Sequence, residues 1–208
     1  MEPRIKTVSY FSTDGYAGQA MKLRASAATY SVELDITPVP PFGSWLQGVM
    51  HKPQFILNAL NEIRLLGYAG ILWTDADSTF VRKVPWGELE GAEIGFTRFQ
   101  WSPNHKQEIL TGTMFFANTD RVRALVEEWV KETTKYKGSD TPEQDSFLVV
   151  WERWKGQVFL KQLSVEWCFI NDKAVFAANP KAIPIVLHGQ YSRVFRNEEA
   201  KLAKAGKK

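Results

Sequence analysis

The sequence predicts an α/β fold with a mixed, mostly parallel sheet flanked by helices, and three observations carry that expectation. The first 74 residues alternate strand, helix, strand, helix, strand. The fifth of these segments, Tyr68-Ala69-Gly70-Ile71-Leu72-Trp73-Thr74, is an apolar run too short for an independent helix, as a buried parallel strand requires. No repeat and no low-complexity tract interrupts the 208 residues, which are enough to bury roughly 70% of the surface of the unfolded chain.

Each element has its own signal. Residues 5–11 alternate as a strand and stop at the turn composition Ser12-Thr13-Asp14-Gly15. Residues 18–30, rich in Ala, Met and Leu, predict a helix, and residues 31–39 a strand closed by Pro38, Pro40 and Pro41. Residues 52–67 predict a second helix, with Pro53 in its first turn, Ile56, Leu60 and Ile63 on one face, and Gly67 as its stop. Strands are expected over 93–99 and 112–118, then a helix over 120–133 with Val122, Leu125, Val126 and Trp129 on one side. Thr141 and Gln144 have capping-box spacing around Pro142, which predicts a helix start. Strand-like segments at 159–163 and 183–188 complete the series. One domain is expected, with a first half over 1–90, a second over 91–193 and a basic tail over 194–208.

Composition narrows the function classes. The single Cys168 rules out a disulfide within the chain and agrees with a reducing compartment. No apolar core of a signal peptide follows the first residues and no stretch is apolar enough to span a bilayer, so a cytoplasmic enzyme is expected. The net charge of +3 resides largely in the tail Lys-Leu-Ala-Lys-Ala-Gly-Lys-Lys and identifies no partner.

The chemistry is concentrated in Trp73-Thr74-Asp75-Ala76-Asp77-Ser78, where a buried strand delivers two carboxylates one residue apart. In extended chain that spacing points both to the same side, and open α/β sheets bind ligands beyond the carboxyl ends of their strands. Such hard oxygen ligands select Mg²⁺ or Mn²⁺. A turn-forming Asp pair has the same pattern, so the remaining landmarks matter.

Those landmarks are the polar loop from Ser12 to Tyr16, Lys52-Pro53, the Asp75-Ala76-Asp77 element, Thr111-Gly112-Thr113-Met114-Phe115-Phe116-Ala117-Asn118, Pro142-Glu143-Gln144-Asp145 and Leu187-His188-Gly189-Gln190-Tyr191-Ser192-Arg193. In this order the chain resembles the GT-A fold family of nucleotide-diphospho-sugar glycosyltransferases, over roughly residues 5 to 193. The resemblance implies transfer of a sugar from a UDP-sugar to a hydroxyl acceptor. It implies Asp75, Asp77 and His188 around Mn²⁺ or Mg²⁺, with Asp75 also on the donor. It further places Thr13, Asp14 and Tyr16 at the base and ribose, Lys52 and Arg24 toward phosphate or sugar, Gly112 against the sugar, and Gly189, Ser192 and Arg193 beside the diphosphate. Glu143 and Asp145 become the candidates for acceptor-side catalysis, and Gln144 after an acidic residue favours a retaining course.

The acceptor stays open between a glycan or protein and a hydroxymethylated base in DNA of the phage type, extruded from its helix. Of the eight tryptophans most are expected in the core, while the loop from Phe99 to Lys106 offers a stacking platform for a sugar or a base. A nucleotidyl- or phosphotransferase also uses paired carboxylates, although no Gly-rich phosphate loop is present. A non-catalytic sugar- or nucleic-acid-binding module is the third reading.

Overall fold

The computed structural model describes residues 2–13, 15–101, 104–136, 139 and 141–191. The expectations for Asp14, Ser192, Arg193 and the basic tail therefore lie outside the described residues. A six-stranded sheet is formed by β1 (Ile5–Ser12), β2 (Leu34–Val39), β3 (Gly70–Thr74), β5 (Ile94–Phe99), β6 (Glu108–Ala117) and β7 (Leu160–Leu163), in the order β2-β1-β3-β6-β5-β7. Three pairings are parallel and two, both made by β6, are antiparallel, so β6 alone runs against the other five. The mostly parallel α/β sheet expected from the sequence is what the chain forms.

Burial explains the centre of this sheet. All five residues of β3 are buried, because β1 and β6 flank it and helices cover it. Gly70 opens β3 where a side chain has no room: an added Cβ would lie 2.4 Å from the Phe116 carbonyl oxygen and 2.8 Å from the Phe115 ring. The helices α1 (Ala17–Thr29), α3 (Lys52–Glu62), α4 (Asp120–Thr133) and α5 (Pro142–Trp154) pack on the sheet and on one another, α3 against α4 and α4 against α5. α4 matches its expected bounds and is capped by the Thr119 hydroxyl, which accepts from the Val122 N–H at 3.2 Å.

Several boundaries differ from expectation for local reasons. α3 stops at Glu62 rather than 67, and the chain continues in turns to Gly67, whose φ of 72° is left-handed. The capping box at α5 does not form; the Thr141 hydroxyl instead donates to Asp145 Oδ2 at 3.2 Å. β6 begins at Glu108 rather than 112, since it folds back on β5 as a hairpin.

The short elements α2 (Trp45–Met50), β4 (Ser78–Phe80), β8 (Phe169–Ile170) and α6 (Lys173–Ala178) were not expected. β4 and β8 flank β9 (Val186–His188) in a second, three-stranded sheet.

Candidate functional site

β3 ends at Thr74, and the chain turns through Asp75, Ala76 and Asp77 into β4, the turn closed by Ser78 N–H donating to the Asp75 carbonyl at 3.0 Å. β4 then pairs antiparallel with β9, setting Ser78 opposite His188. The Gly189 N–H donates to the Asp77 carbonyl at 3.0 Å and fixes the crossing of the two segments. An imidazole more than a hundred positions away is thereby brought to the carboxylates: one ligand atom from each of Asp75, Asp77 and His188 lies within 4.8 Å of the others.

A bulge in the hairpin shapes the opposite wall. The β5–β6 register jumps from Phe96 opposite Met114 to Thr97 opposite Leu110, so Thr111, Gly112 and Thr113 have no partner on β5. Bulges of this kind re-aim side chains. Thr113 Oγ1 shares a 2.8 Å hydrogen bond with His188 Nε2, leaving Nδ1 as the nitrogen for a cation. Thr74 Oγ1 lies 3.4 Å from the same hydroxyl and 2.7 Å from Ser78 Oγ, which extends the support of the ring into β3 and β4. Gly112 is required by packing, since a Cβ there would sit 2.8 Å from His188 Cε1, 3.0 Å from Nδ1 and 3.2 Å from Cys168 Sγ.

Charge states follow from burial. Desolvation holds His188 down at about 4, against the weaker upward pull of Asp75, so the ring is neutral near pH 7 and its lone pair is available. Burial, then the Asp75 charge, push the Asp77 carboxyl up to about 6, while the Tyr191 N–H, donating to Oδ2 at 2.7 Å, opposes the shift. Burial raises the Cys168 thiol to about 12, so it remains protonated.

Lys52 occupies the centre of the site. It is 3% exposed, with Nζ 3.0 Å from Asp75 Oδ1, 3.5 Å from Glu143 Oε1 and 3.4 Å from the Thr111 carbonyl. Burial works against the ammonium, but the Asp75 and Glu143 charges outweigh it and the net pKa is raised. The Trp73 indole N–H also donates to Asp75 Oδ1, at 3.1 Å, which leaves the second oxygen of Asp75 for a cation. Glu143 is 7% exposed, and its Oε2 is buried without a hydrogen-bond partner among the described residues. A buried carboxylate oxygen in that state is costly unless something fills its place.

These groups line a cavity of about 490 Å³. Tyr10, Phe42, Trp45 and Val49 form an apolar wall, Trp101 and Glu108 stand at another part, and Thr141 and Gln144 come from the start of α5. The Tyr10 hydroxyl donates to the Gly48 carbonyl at 2.6 Å, and its ring packs on Phe42, Phe55 and Trp73 with centroids 6.1, 5.0 and 5.3 Å away.

The expected site residues divide accordingly. Tyr16, Lys52, Asp75, Asp77, Gly112, Glu143 and His188 line the cavity. Tyr16 also meets Tyr191 edge-on at 5.3 Å. Thr13 lies at the end of β1, its N–H donating to the Val39 carbonyl at 3.2 Å, and Gly189 braces the Asp77 backbone; neither is a lining residue. Asp145 is not a lining residue either, and its Oδ2 accepts from Ser139 Oγ at 2.5 Å and Thr141 Oγ1 at 3.2 Å. Arg24 donates to the Ile36 carbonyl and is likewise absent from the lining.

Reasoning from sequence missed the wall contributed by α2. Its six residues are too few for periodicity, but Ser44 and Gln47 carried a signal: the Ser44 hydroxyl accepts from the Gln47 N–H at 3.2 Å as an N-cap.

No family model and no curated protein matches the sequence. Among solved structures, the fold is similar to that of a glycosyltransferase involved in the glycosylation of the major capsid of PBCV-1, with a TM-score of 0.68, 14% identity, and coverage of 96% of this chain and 100% of that one. It is also similar to the glycosyltransferase GlyE of Streptococcus pneumoniae TIGR4, with a TM-score of 0.61, 12% identity and coverage of 91% of this chain. The match spans 55% of that longer chain. At these identities the likeness is one of fold.

Proposed function

We propose that the protein is a metal-dependent glycosyltransferase that moves a sugar from a UDP-sugar to a hydroxyl acceptor. The observation that carries this reading is the convergence of Asp75, Asp77 and His188 within 4.8 Å on the wall of a cavity large enough for a nucleotide sugar. Two carboxylates and a neutral imidazole suit Mn²⁺ or Mg²⁺, and the Lys52 ammonium leaves one Asp75 oxygen uncommitted. When bound, the cation offsets the negative charge that develops on the departing diphosphate.

The chain's own residues supply the remaining parts of the proposal. Lys52 holds Asp75 and Glu143 in register and adds a fixed positive charge beside the diphosphate. Gly112 lets the sugar approach the β6 backbone, and Glu143 lines the same cavity. Tyr16, on the cavity wall, offers its ring to the uracil. A retaining course is favoured because Gln144 follows an acidic residue and lines the cavity with Glu143. In this assignment Glu143 takes the role expected of the acidic pair and Asp145 holds the loop that positions it.

A thermal-shift panel of nucleotide sugars with and without Mn²⁺ tests the reading. Saturation near 100 times Kd gives about 2.7 kcal/mol, or roughly 5–11 °C for a chain of this size. The shift is expected to require both metal and one UDP-sugar and to vanish in Asp77→Ala. Absence of any metal-dependent response to every nucleotide sugar would sink the proposal.

A further inference from the structure

The part of the cavity beyond the bulge is not used by the donor chemistry. β6 carries Glu108 four residues ahead of Gly112, up to roughly 13 Å along the strand from the Asp75, Asp77 and His188 group. There the Trp101 indole N–H donates to Glu108 Oε2 at 2.9 Å, and the ring packs edge-on against Phe99 at 5.0 Å. Its polar edge is thus consumed within the protein, and what remains to offer a ligand is an apolar ring face. The hairpin loop behind it is closed by Gln100 Nε2 donating to the His105 carbonyl at 2.9 Å. Thr141, Glu143 and Gln144, from the start of α5, line the same cavity.

The charges discriminate between acceptors. Among the described lining residues Lys52 is the one cation, and it is committed to Asp75 and Glu143, whereas Asp75, Asp77, Glu108 and Glu143 are acidic. A nucleic-acid strand brings a phosphate at every step and needs a basic surface to neutralise it. A neutral sugar needs the reverse: an aromatic face for its C–H surface and oxygen acceptors for its hydroxyls.

We infer that Trp101 and Glu108 form an acceptor subsite for a neutral glycan. The indole covers one sugar face and Glu108 takes its hydroxyls. This inference rests on the transferase reading of the same cavity.

The test measures binding of the full chain to immobilised neutral oligosaccharides and to a duplex carrying hydroxymethylated bases, with and without UDP and Mn²⁺. The wild type is expected to retain at least one neutral oligosaccharide, and Trp101→Ala to weaken it roughly tenfold or more. Glu108→Gln should weaken it several-fold. Trp101→Phe, which keeps a ring against Phe99, should retain most of the binding and so separates loss of the stacking face from loss of the fold.

Equal binding by wild type and Trp101→Ala, retention of no oligosaccharide, or tighter, salt-sensitive retention of the duplex would each overturn the inference. Glycan retention abolished by Trp101→Ala, in a protein that answers to no nucleotide sugar, would sustain the subsite and refute the transferase reading alone.

Discussion

Replacing Lys52 with methionine removes the one buried cation that faces both Asp75 and Glu143 and keeps most of the side-chain volume. Nζ lies 3.0 and 3.5 Å from the two carboxylates, and the Lys52 and Glu143 side chains are 4% and 9% exposed. Removing one partner of a buried ion pair costs about 3–5 kcal/mol, because the other charge is left uncompensated. The Asp75 side chain is 34% exposed and recovers some hydration, so the low end of about 3 kcal/mol applies. For a chain of this length that is a fall in Tm of roughly 6–12 °C without metal. Two further melts follow from the same geometry. Mn²⁺ should raise the Tm of Lys52→Met more than that of the wild type, because the divalent ion replaces lost positive charge at Asp75. The double variant Lys52→Met with Glu143→Gln should regain half or more of the loss, since it removes the stranded carboxylate. A single variant melting within about 2 °C of the wild type, or a double variant no better than the single one, would refute the central role given to this ammonium.

Gly112→Ala should destabilise the chain by about 1–3 kcal/mol and lower Mn²⁺ affinity about tenfold, because the new Cβ would stand 3.0 Å from His188 Nδ1. Gly18→Ala, in the first turn of α1 with nothing within 4 Å of the added carbon, should instead stabilise by about 0.5–1 kcal/mol, and paired melts and metal titrations check both. The clamp between α4 and α5 predicts a pH dependence. Arg153 lies 2.6 Å from Glu128 and 3.0 Å from Glu132, and Lys135 2.9 Å from Glu132. Arg153, with Trp154, lowers the Glu128 carboxyl below its ordinary 4.5, and Lys135, then Arg153, does the same for Glu132. A depressed folded-state pKa stabilises above the ordinary value and is lost as pH falls through the folded one. Arg153→Met should therefore lower Tm by about 1–3 °C at pH 7, with the gap to wild type closing below pH 4.5, followed by melts from pH 7 to pH 3.

How far these features were legible in the sequence follows from the range of the interactions behind them. The apolar run ending in Asp75 and Asp77, the amphipathic α4, and the β–α alternation were readable because neighbouring residues encode them. The parallel sheet was readable for the same reason, since successive β–α units leave few other topologies. Lys52 was harder. At the start of α3 it has the pattern of a solvated lysine, and only the packing of β3, β6 and α5 around it makes it the most buried charge of the cavity.

Asp145 shows the converse. One residue beyond Gln144 it looked equivalent to Glu143, yet the helix turn separates their directions and it bonds to Ser139 and Thr141 instead. The sequence by itself determined the fold class and the two carboxylates at the exit of a buried strand. The tertiary structure alone decided that β4 would pair with β9 to bring His188 to those carboxylates, that a bulge would aim Thr113 at its ring, and that α2 would wall the cavity. Pairings between strands more than a hundred residues apart depend on the shape of the finished core, and no local periodicity records them.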